Sequence, residues 1–286
     1  MDAQAMKVAA VLGSGTMGNG IAQVLAQTGL EVRMYDIADA QLAKGMAAIR
    51  GNLDKGVEKG KVVAADRDAA LARLSTTTDL AAAARGVDVV VEAVPEKLEL
   101  KQELFQAIGA MLGEGVLLAT NTSSLSISRI ASVTRHPGRV VGMHFFNPVH
   151  LMKLVEVVEA EQSAEPAVLA AMDLSRRMGK DPIRVKDAPG FASSRLGIAI
   201  GLEAMRMVEE GVASPADIDK AMVLGYGFPM GPLQLTDLVG LDVRLNIADY
   251  LYKQVGDRFL APDILRDKVA RGELGKKSGK GFYEWR

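Results

Sequence analysis

The chain contains no cysteine. That excludes disulfides, thiolate metal sites and cysteine nucleophiles, and it is compatible with a reducing compartment. No excess of charge of either sign is present: 34 Lys and Arg stand against 35 Asp and Glu, a formal net charge of −1. No global field therefore favours nucleic acid or an anionic membrane, and an acidic ligand would need local basic groups. Long apolar runs are missing too. Stretches such as 88–94 and 115–120 are strand-length and fall far short of a spanning helix. Residues Met1 to Met6 lack the basic region and long apolar segment of a signal peptide. These absences point to the cytoplasm, with no membrane or nucleic-acid partner and no metal site.

What is present is an ordinary globular composition, with 49% hydrophobic and 24% charged residues over 286 positions. That length suits one large or two modest domains. Apolar runs ended by glycine or polar residues predict strands at Lys7 to Leu12, Glu31 to Tyr35, Val87 to Glu92, Val116 to Thr120, Val140 to Phe145 and Leu154 to Val158. Helical spacing is read at Gly18 to Gly29, Ala64 to Arg73, Leu98 to Leu112 and Ser126 to Ser132. Ala38 to Lys61 reads as a long polar, lysine-bearing stretch. Alternating strands and helices predict an α/β, doubly wound, Rossmann-type domain over 1–186. After Lys186 no convincing strand appears. Helical patterns at Phe191 to Glu210, after Ser214-Pro215, and at Leu233 to Val255 predict an all-helical C-terminal domain over 187–286.

Gly13-Ser14-Gly15-Thr16-Met17-Gly18 follows the first predicted strand and opens the first predicted helix. In that context the pattern is a dinucleotide fingerprint: a tight turn, a close backbone approach to the pyrophosphate, and free amides at a helix start. The alternative is a plain strand–turn–helix joint with no ligand. Asp36 ends the second strand. A carboxylate there accepts from the adenosine ribose hydroxyls and repels a 2′-phosphate, which favours NAD over NADP. Its alternative role is a helix cap.

Histidine is scarce, at His136, His144 and His150. His144 interrupts an apolar run, and so does Glu156. A buried carboxylate is costly unless paired. With an Asn-Pro turn signal between the two strands, a hairpin centred near His150 sets positions 144 and 156 opposite each other, roughly 5 Å apart at Cβ. Such a pair is either a tuned general base or a structural pair that specifies the hairpin. Asn121 and Ser123 follow a strand, where donors toward a carbonyl or hydroxyl, or ordinary helix caps, are both expected. Glu96 and Lys101 either touch a cofactor or form a solvated helix start.

These segments, taken together and in order, resemble the 3-hydroxyacyl-CoA dehydrogenase family, particularly its bacterial 3-hydroxybutyryl-CoA members. The resemblance rests on Gly-Ser-Gly-Thr-Met-Gly at 13–18, Glu-Ala-Val-Pro-Glu from 92, Asn-Thr-Ser-Ser-Leu from 121 and His-Phe-Phe-Asn-Pro-Val from 144. It continues through Pro-Gly-Phe at 189–191, Gly-Pro at 231–232 and Lys-Lys-Ser-Gly-Lys-Gly-Phe-Tyr from 276. It implies an NAD enzyme of fatty-acid metabolism acting on an acyl-CoA thioester, and a homodimer formed through the helical domain. By the same matching His144 is the base and Glu156 orients it. Ser123 meets the substrate oxygen and Asn147 the nicotinamide end, while Asp36, Glu96, Lys101 and Lys277 line the cofactor, and Lys55, Lys59 and Lys61 meet coenzyme A. One position departs: the family often has Asn where this chain has Ser194, so a direct substrate contact there is in question. Two rival readings stay open on sequence alone. One is a dehydrogenase of a free hydroxy acid or sugar acid, and the other is a dinucleotide-binding redox sensor without catalysis.

Overall fold

The computed structural model describes residues 1–285. The chain divides into two compact units, Met1–Ala188 and Pro189–Arg286. The first unit runs β1 (Val8–Leu12), α1 (Thr16–Gln27), β2 (Glu31–Tyr35), α2 (Asp39–Glu58), α3 (Ala64–Ala72), β3 (Leu74–Thr77), α4 (Leu80–Ala84) and β4 (Val89–Glu92). It continues with α5 (Leu98–Met111), β5 (Leu117–Thr120), α6 (Ile127–Ala131), β6 (Val140–Phe145), β7 (Leu154–Glu159), α7 (Glu165–Arg177) and β8 (Asp181–Lys186).

The strands form one eight-stranded sheet in the order β3-β2-β1-β4-β5-β6-β7-β8. Every neighbouring pair is parallel except β6–β7. β4 and β5, buried along their whole length, read as continuous apolar runs, as strands covered on both faces must. The order reverses between β1 and β4, so a crevice opens beyond their carboxyl ends, where ligands of doubly wound sheets bind. One face of the sheet is closed by a core that includes Val11, Ile21, Leu25, Leu53, Val91, Val157 and Leu174.

Five elements of this unit escaped the sequence reading, one of them the short helix α4. β3 and β8 are the two edge strands and carry no apolar run: β8 is Asp-Pro-Ile-Arg-Val-Lys and is mostly exposed. The polar stretch 38–61 is largely the helix α2, which buries only Leu42, Gly45, Ile49 and Leu53 along one face. Helix α7 was also passed over, although Pro166 in its first turn and Val168, Ala171 and Leu174 at helical spacing mark it.

The second unit is helical: α8 (Ser193–Glu209), α9 (Pro215–Tyr226), α10 (Pro232–Val239), α11 (Leu241–Val255) and α12 (Asp263–Ala270). The helix expected over 233–255 is two helices, broken at Gly240, whose φ of +105° no helical residue adopts. In α8 the buried face includes Ile198, Leu202, Ala204 and Met205, whereas Leu196 is 63% exposed.

Two buried carboxylates hold this unit together. Asp219 accepts the backbone N–H groups of Leu233 and Gln234, both at 2.8 Å, and so caps α10 from another helix. It also accepts the Tyr283 hydroxyl at 2.7 Å. Asp237 accepts the N–H groups of Phe282 and Tyr283 at 2.9 Å and Trp285 Nε1 at 2.8 Å, which pins the C-terminal segment. A side chain at Gly281 would place its Cβ 2.2 Å from the Asp237 carboxylate, so the segment approaches this closely only with glycine there. Hydrogen bonds to charged groups are worth about 1.5–3 kcal/mol each. Asp237→Ala is therefore expected to lower stability in urea unfolding by at least about 2 kcal/mol, and Asp237→Asn, which keeps one acceptor oxygen, by less. Unchanged stability in both variants would show that the carboxylate does not hold the segment.

Candidate active site

The carboxyl ends of β1, β2, β4, β5 and β6 come together along one edge of the sheet, and Gly13 to Gly18, Asp36, Glu96, Asn121, Ser123 and His144 lie at or just beyond those ends. After β1 the chain turns at Gly13, whose φ is +96° and whose N–H donates to Tyr35 O at 2.8 Å. A Cβ at Gly18 would fall 1.8 Å from Gly13 O, whereas one at Gly15 would meet nothing within 4 Å. Gly15 is the N-cap of α1 and supplies no side-chain cap, and no acidic residue lies in the first turn formed by Thr16, Met17 and Gly18. The first amides of a helix lack intrahelical acceptors, so an open, uncapped and unopposed helix start fits a diphosphate. Asp36 Oδ2 accepts both the N–H and the hydroxyl of Ser14 at 2.8 Å. Ser14 is buried and spends both donors on Asp36, so it orders the turn. The residues present fit a dinucleotide.

A second network underlies the β4 and β5 ends. Glu92 and Lys101 are both wholly buried, with Lys101 Nζ 2.6 Å from Glu92 Oε1. Glu92 also accepts the Thr120 hydroxyl at 2.6 Å and Val94 N–H at 2.6 Å. Burial pushes the Glu92 carboxyl upward, and the Lys101 ammonium and these donors oppose that. Lys101 was expected on a cofactor or in solvent. It is not solvated: its side chain has no exposed surface, and its ammonium serves Glu92, Val94 O and Glu96. Glu96 is the more exposed carboxylate and takes the other end of the network. It accepts the Thr122 hydroxyl at 2.5 Å and Ser123 N–H at 3.0 Å. Lys101 thus reaches the loop of Ser123 through Glu96. The sequence reading assigned Glu92 no role. Its signal was a carboxylate ending the apolar run of β4, the same signal that singled out Glu156.

β6 and β7 are antiparallel with His144 directly opposite Glu156. Glu156 is fully buried and His144 nearly so, and Glu156 Oε2 lies 2.7 Å from His144 Nδ1. A carboxylate only accepts, so the proton of this bond sits on Nδ1. Beside them Asn121 Oδ1 accepts Phe145 N–H at 3.0 Å and ties the end of β5 to β6, which leaves its amide nitrogen as the donor. The Phe146 ring packs on the imidazole with centroids 4.6 Å apart. Asn147 is exposed in the loop that follows.

The remaining expected residues lie elsewhere. Lys55, Lys59 and Lys61 are exposed at and just beyond the end of α2. In the second unit Ser194 lies in the first turn of α8, after Phe191, which adopts a φ of +49°. Lys277, also in the second unit, has a partner of its own in Asp242, 2.6 Å away. Among the described residues no group of three His, Asp or Glu stands close enough to hold a metal ion.

The sequence matches two family models: the NAD-binding domain of 3-hydroxyacyl-CoA dehydrogenase over residues 8–188, and the C-terminal domain of the same family over 190–285. A probable 3-hydroxybutyryl-CoA dehydrogenase of Bacillus subtilis is 43% identical over 276 residues, which is 96% of both chains. The human mitochondrial hydroxyacyl-coenzyme A dehydrogenase is 40% identical, across 98% of this chain and 92% of the other. The crystal structure of an (S)-3-hydroxybutyryl-CoA dehydrogenase from Ralstonia eutropha superposes with a TM-score of 0.95 at 41% identity, covering 99% of this chain and 100% of the other.

The buried ion pair beneath the site makes a direct stability prediction. Removing one partner of such a pair costs about 3–5 kcal/mol, because the other is left charged and unpaired. Lys101→Met is expected to lose that much in denaturant unfolding, and the double variant Lys101→Met/Glu92→Gln to recover part of it. Strictly additive losses would show that the two groups do not act as a pair.

Proposed function

The chain belongs to the 3-hydroxyacyl-CoA dehydrogenase family, and from that premise we propose how its own residues carry the reaction. It is an NAD-dependent oxidoreductase that converts a 3-hydroxyacyl-CoA to the 3-ketoacyl-CoA and runs the reverse reduction. Relatives named for 3-hydroxybutyryl-CoA support a short acyl chain. The observation that carries the mechanism is the buried His144–Glu156 pair at 2.7 Å, at the sheet edge that also holds the glycine turn.

With Nδ1–H committed to Glu156, Nε2 is the ring nitrogen that takes the proton of the substrate 3-hydroxyl as the C3–H bond gives up its electron pair. NAD, when bound at the Gly13–Gly18 turn, supplies the acceptor for that hydride. The imidazolium that results sits against the Glu156 carboxylate, which offsets its charge. In the reverse direction the same imidazolium protonates the oxygen of the reduced carbonyl. Ser123, whose loop is fixed through Glu96, and the Asn121 amide hold the substrate oxygen within reach. Asp36 receives the adenosine ribose, and Asn147 faces the nicotinamide end. Lys55 and Lys59, one turn apart on the end of α2, offer charge to the phosphates of coenzyme A.

No helix among the described residues is long and apolar enough to cross a membrane. A cytoplasmic place agrees with the absence of cysteine. The second unit supports a homodimer. Ile200, Ala204 and Met207 of α8 and Ile218 and Met222 of α9 line an open apolar groove of about 380 Å³, and Leu224 and Tyr226 at the end of α9 are 73% and 78% exposed. A soluble monomer rarely leaves a large contiguous apolar patch bare.

The function is tested by following NADH oxidation with acetoacetyl-CoA and with free acetoacetate. The thioester is expected to turn over far faster, and His144→Gln to lose at least about 10²-fold in kcat while NADH affinity stays near that of the parent. Equal turnover of the free acid would move the reading to a hydroxy-acid dehydrogenase. Tight NADH binding without turnover of either would move it to a sensor. For the assembly, sedimentation equilibrium is expected to give a dimer, and Met207→Glu a monomer. A parent protein that sediments as a fully active monomer would refute the assembly.

A further inference from the structure

A second polar cleft lies in the first unit, with a volume of about 380 Å³. Its charged lining comes from His150 and Lys153 in the β6–β7 loop, and from Arg177 and Lys180 at and beyond the end of α7. No Asp or Glu lines it, and it shares no residue with the Gly13–Gly18 turn, with Asp36 or with the lysines at the end of α2. We propose that this cleft binds a phosphate dianion, either free or carried on a small organic molecule.

The argument is one of charge. Two helices end at the cleft, α1 at Thr28 and α7 at Met178. Each helix end carries about half a negative charge, so together they offset roughly one unit. Against that stand the three full cations Lys153, Arg177 and Lys180. The hydrogen bonds of the two inner cations go to neutral carbonyl groups. Arg177 donates to Ala3 O at 2.9 Å, Met6 O at 2.8 Å and Thr28 O at 3.3 Å. Lys180 Nζ donates to Val149 O and, at 2.9 Å, to Met152 O. About two positive charges are left over inside a concave surface, the charge of one phosphate dianion. Burial lowers Lys180, and burial followed by the nearby Lys180 charge lowers His150, so both inner groups sit where an anion would relieve them. Lys153 is exposed and brings up to three N–H donors to the mouth. Val24, Leu151 and Met178 give the remaining wall an apolar surface suited to an organic group beyond the phosphate.

The test is calorimetric titration of the full-length protein, saturated with NADH to fill the dinucleotide site, with inorganic phosphate and with phenyl phosphate, which is no part of either substrate. Both probes are expected to bind, and phosphate to shift the His150 imidazole resonances in NMR. Lys153→Glu is expected to weaken both by about tenfold or more, 1.4 kcal/mol, without changing kcat in phosphate-free buffer. Lys153→Ala should fall between. Phenyl phosphate that binds at least about tenfold tighter than inorganic phosphate identifies a phosphate carried on an organic group as the source, and equal affinities identify free phosphate. Failure of the NADH-saturated parent to bind either probe up to about 10 mM, weaker than any specific site of this charge should show, overturns the proposal. Equal affinity in Lys153→Glu and the parent, the mark of an adventitious ion only, overturns it as well.

Discussion

A carboxylate taken out of water must be given donors, and this requirement organises both units of the molecule. Glu92, Glu156, Asp219 and Asp237 are all buried. Leaving any of them unpaired would cost several kcal/mol, a large fraction of a typical domain's stability. Each is matched differently. Glu92 has an ammonium, a hydroxyl and an amide, and Glu156 has an imidazole. Asp219 and Asp237 have mainly backbone N–H groups. The difference follows what each does. The two aspartates bind backbone and therefore fix chain path. The two glutamates bind side chains that lead to the sheet edge where the candidate site lies.

At that edge the polar groups are coupled in series. Lys101 joins Glu92 to Glu96, and Glu96 takes the Thr122 hydroxyl and the Ser123 amide. Asn121 takes the amide that follows His144. The loop after β5 is therefore tied on one side to the base of the glycine turn and on the other to the strand of the proposed base. Networks of this kind hold a geometry that single hydrogen bonds, worth about 1 kcal/mol net, would not hold alone.

Much of this was legible in the sequence, and the unread parts share causes. His144 and Glu156 were readable because each breaks an apolar run and a turn signal lies between them, so strand pairing alone brings them together. The glycine turn was readable from its place between a strand and a helix. Lys101 was not, because a lysine near a helix start looks like any solvated charge until its partner is known to be buried. Gly-Pro at 231–232 and the segment from Lys276 stood out as patterns, but their partners, Asp219 and Asp237, lie on α9 and α10 and match no local motif. The edge strands β3 and β8 were missed for the opposite reason: they bury little apolar surface, β3 offering only Leu74 and β8 only Ile183 and Val185 between charged residues.

The one antiparallel pairing in the sheet, β6–β7, has a chemical consequence that a parallel pairing would not offer. Two parallel neighbours need a crossover of a dozen or more residues, so their facing side chains are far apart in sequence and depend on the packing of the connecting helix. An antiparallel turn sets His144 against Glu156 at a separation of 12 residues, with a ladder of paired neighbours from Val141–Glu159 to Phe145–Val155 holding the register. A slip of one residue in either strand would carry that strand's side chains to the opposite face and part His144 from Glu156, leaving the carboxylate buried without its partner. The carboxylate is then already in place, at fixed distance, before any charge forms on the imidazole. Such preorganisation matters because a group that needs no rearrangement as charge develops stabilises that charge at little reorganisation cost. The reversal of strand direction at β7 thus gives the proposed base its partner on the rigid sheet itself, while the parallel strands beside it present their loops to the cofactor and substrate.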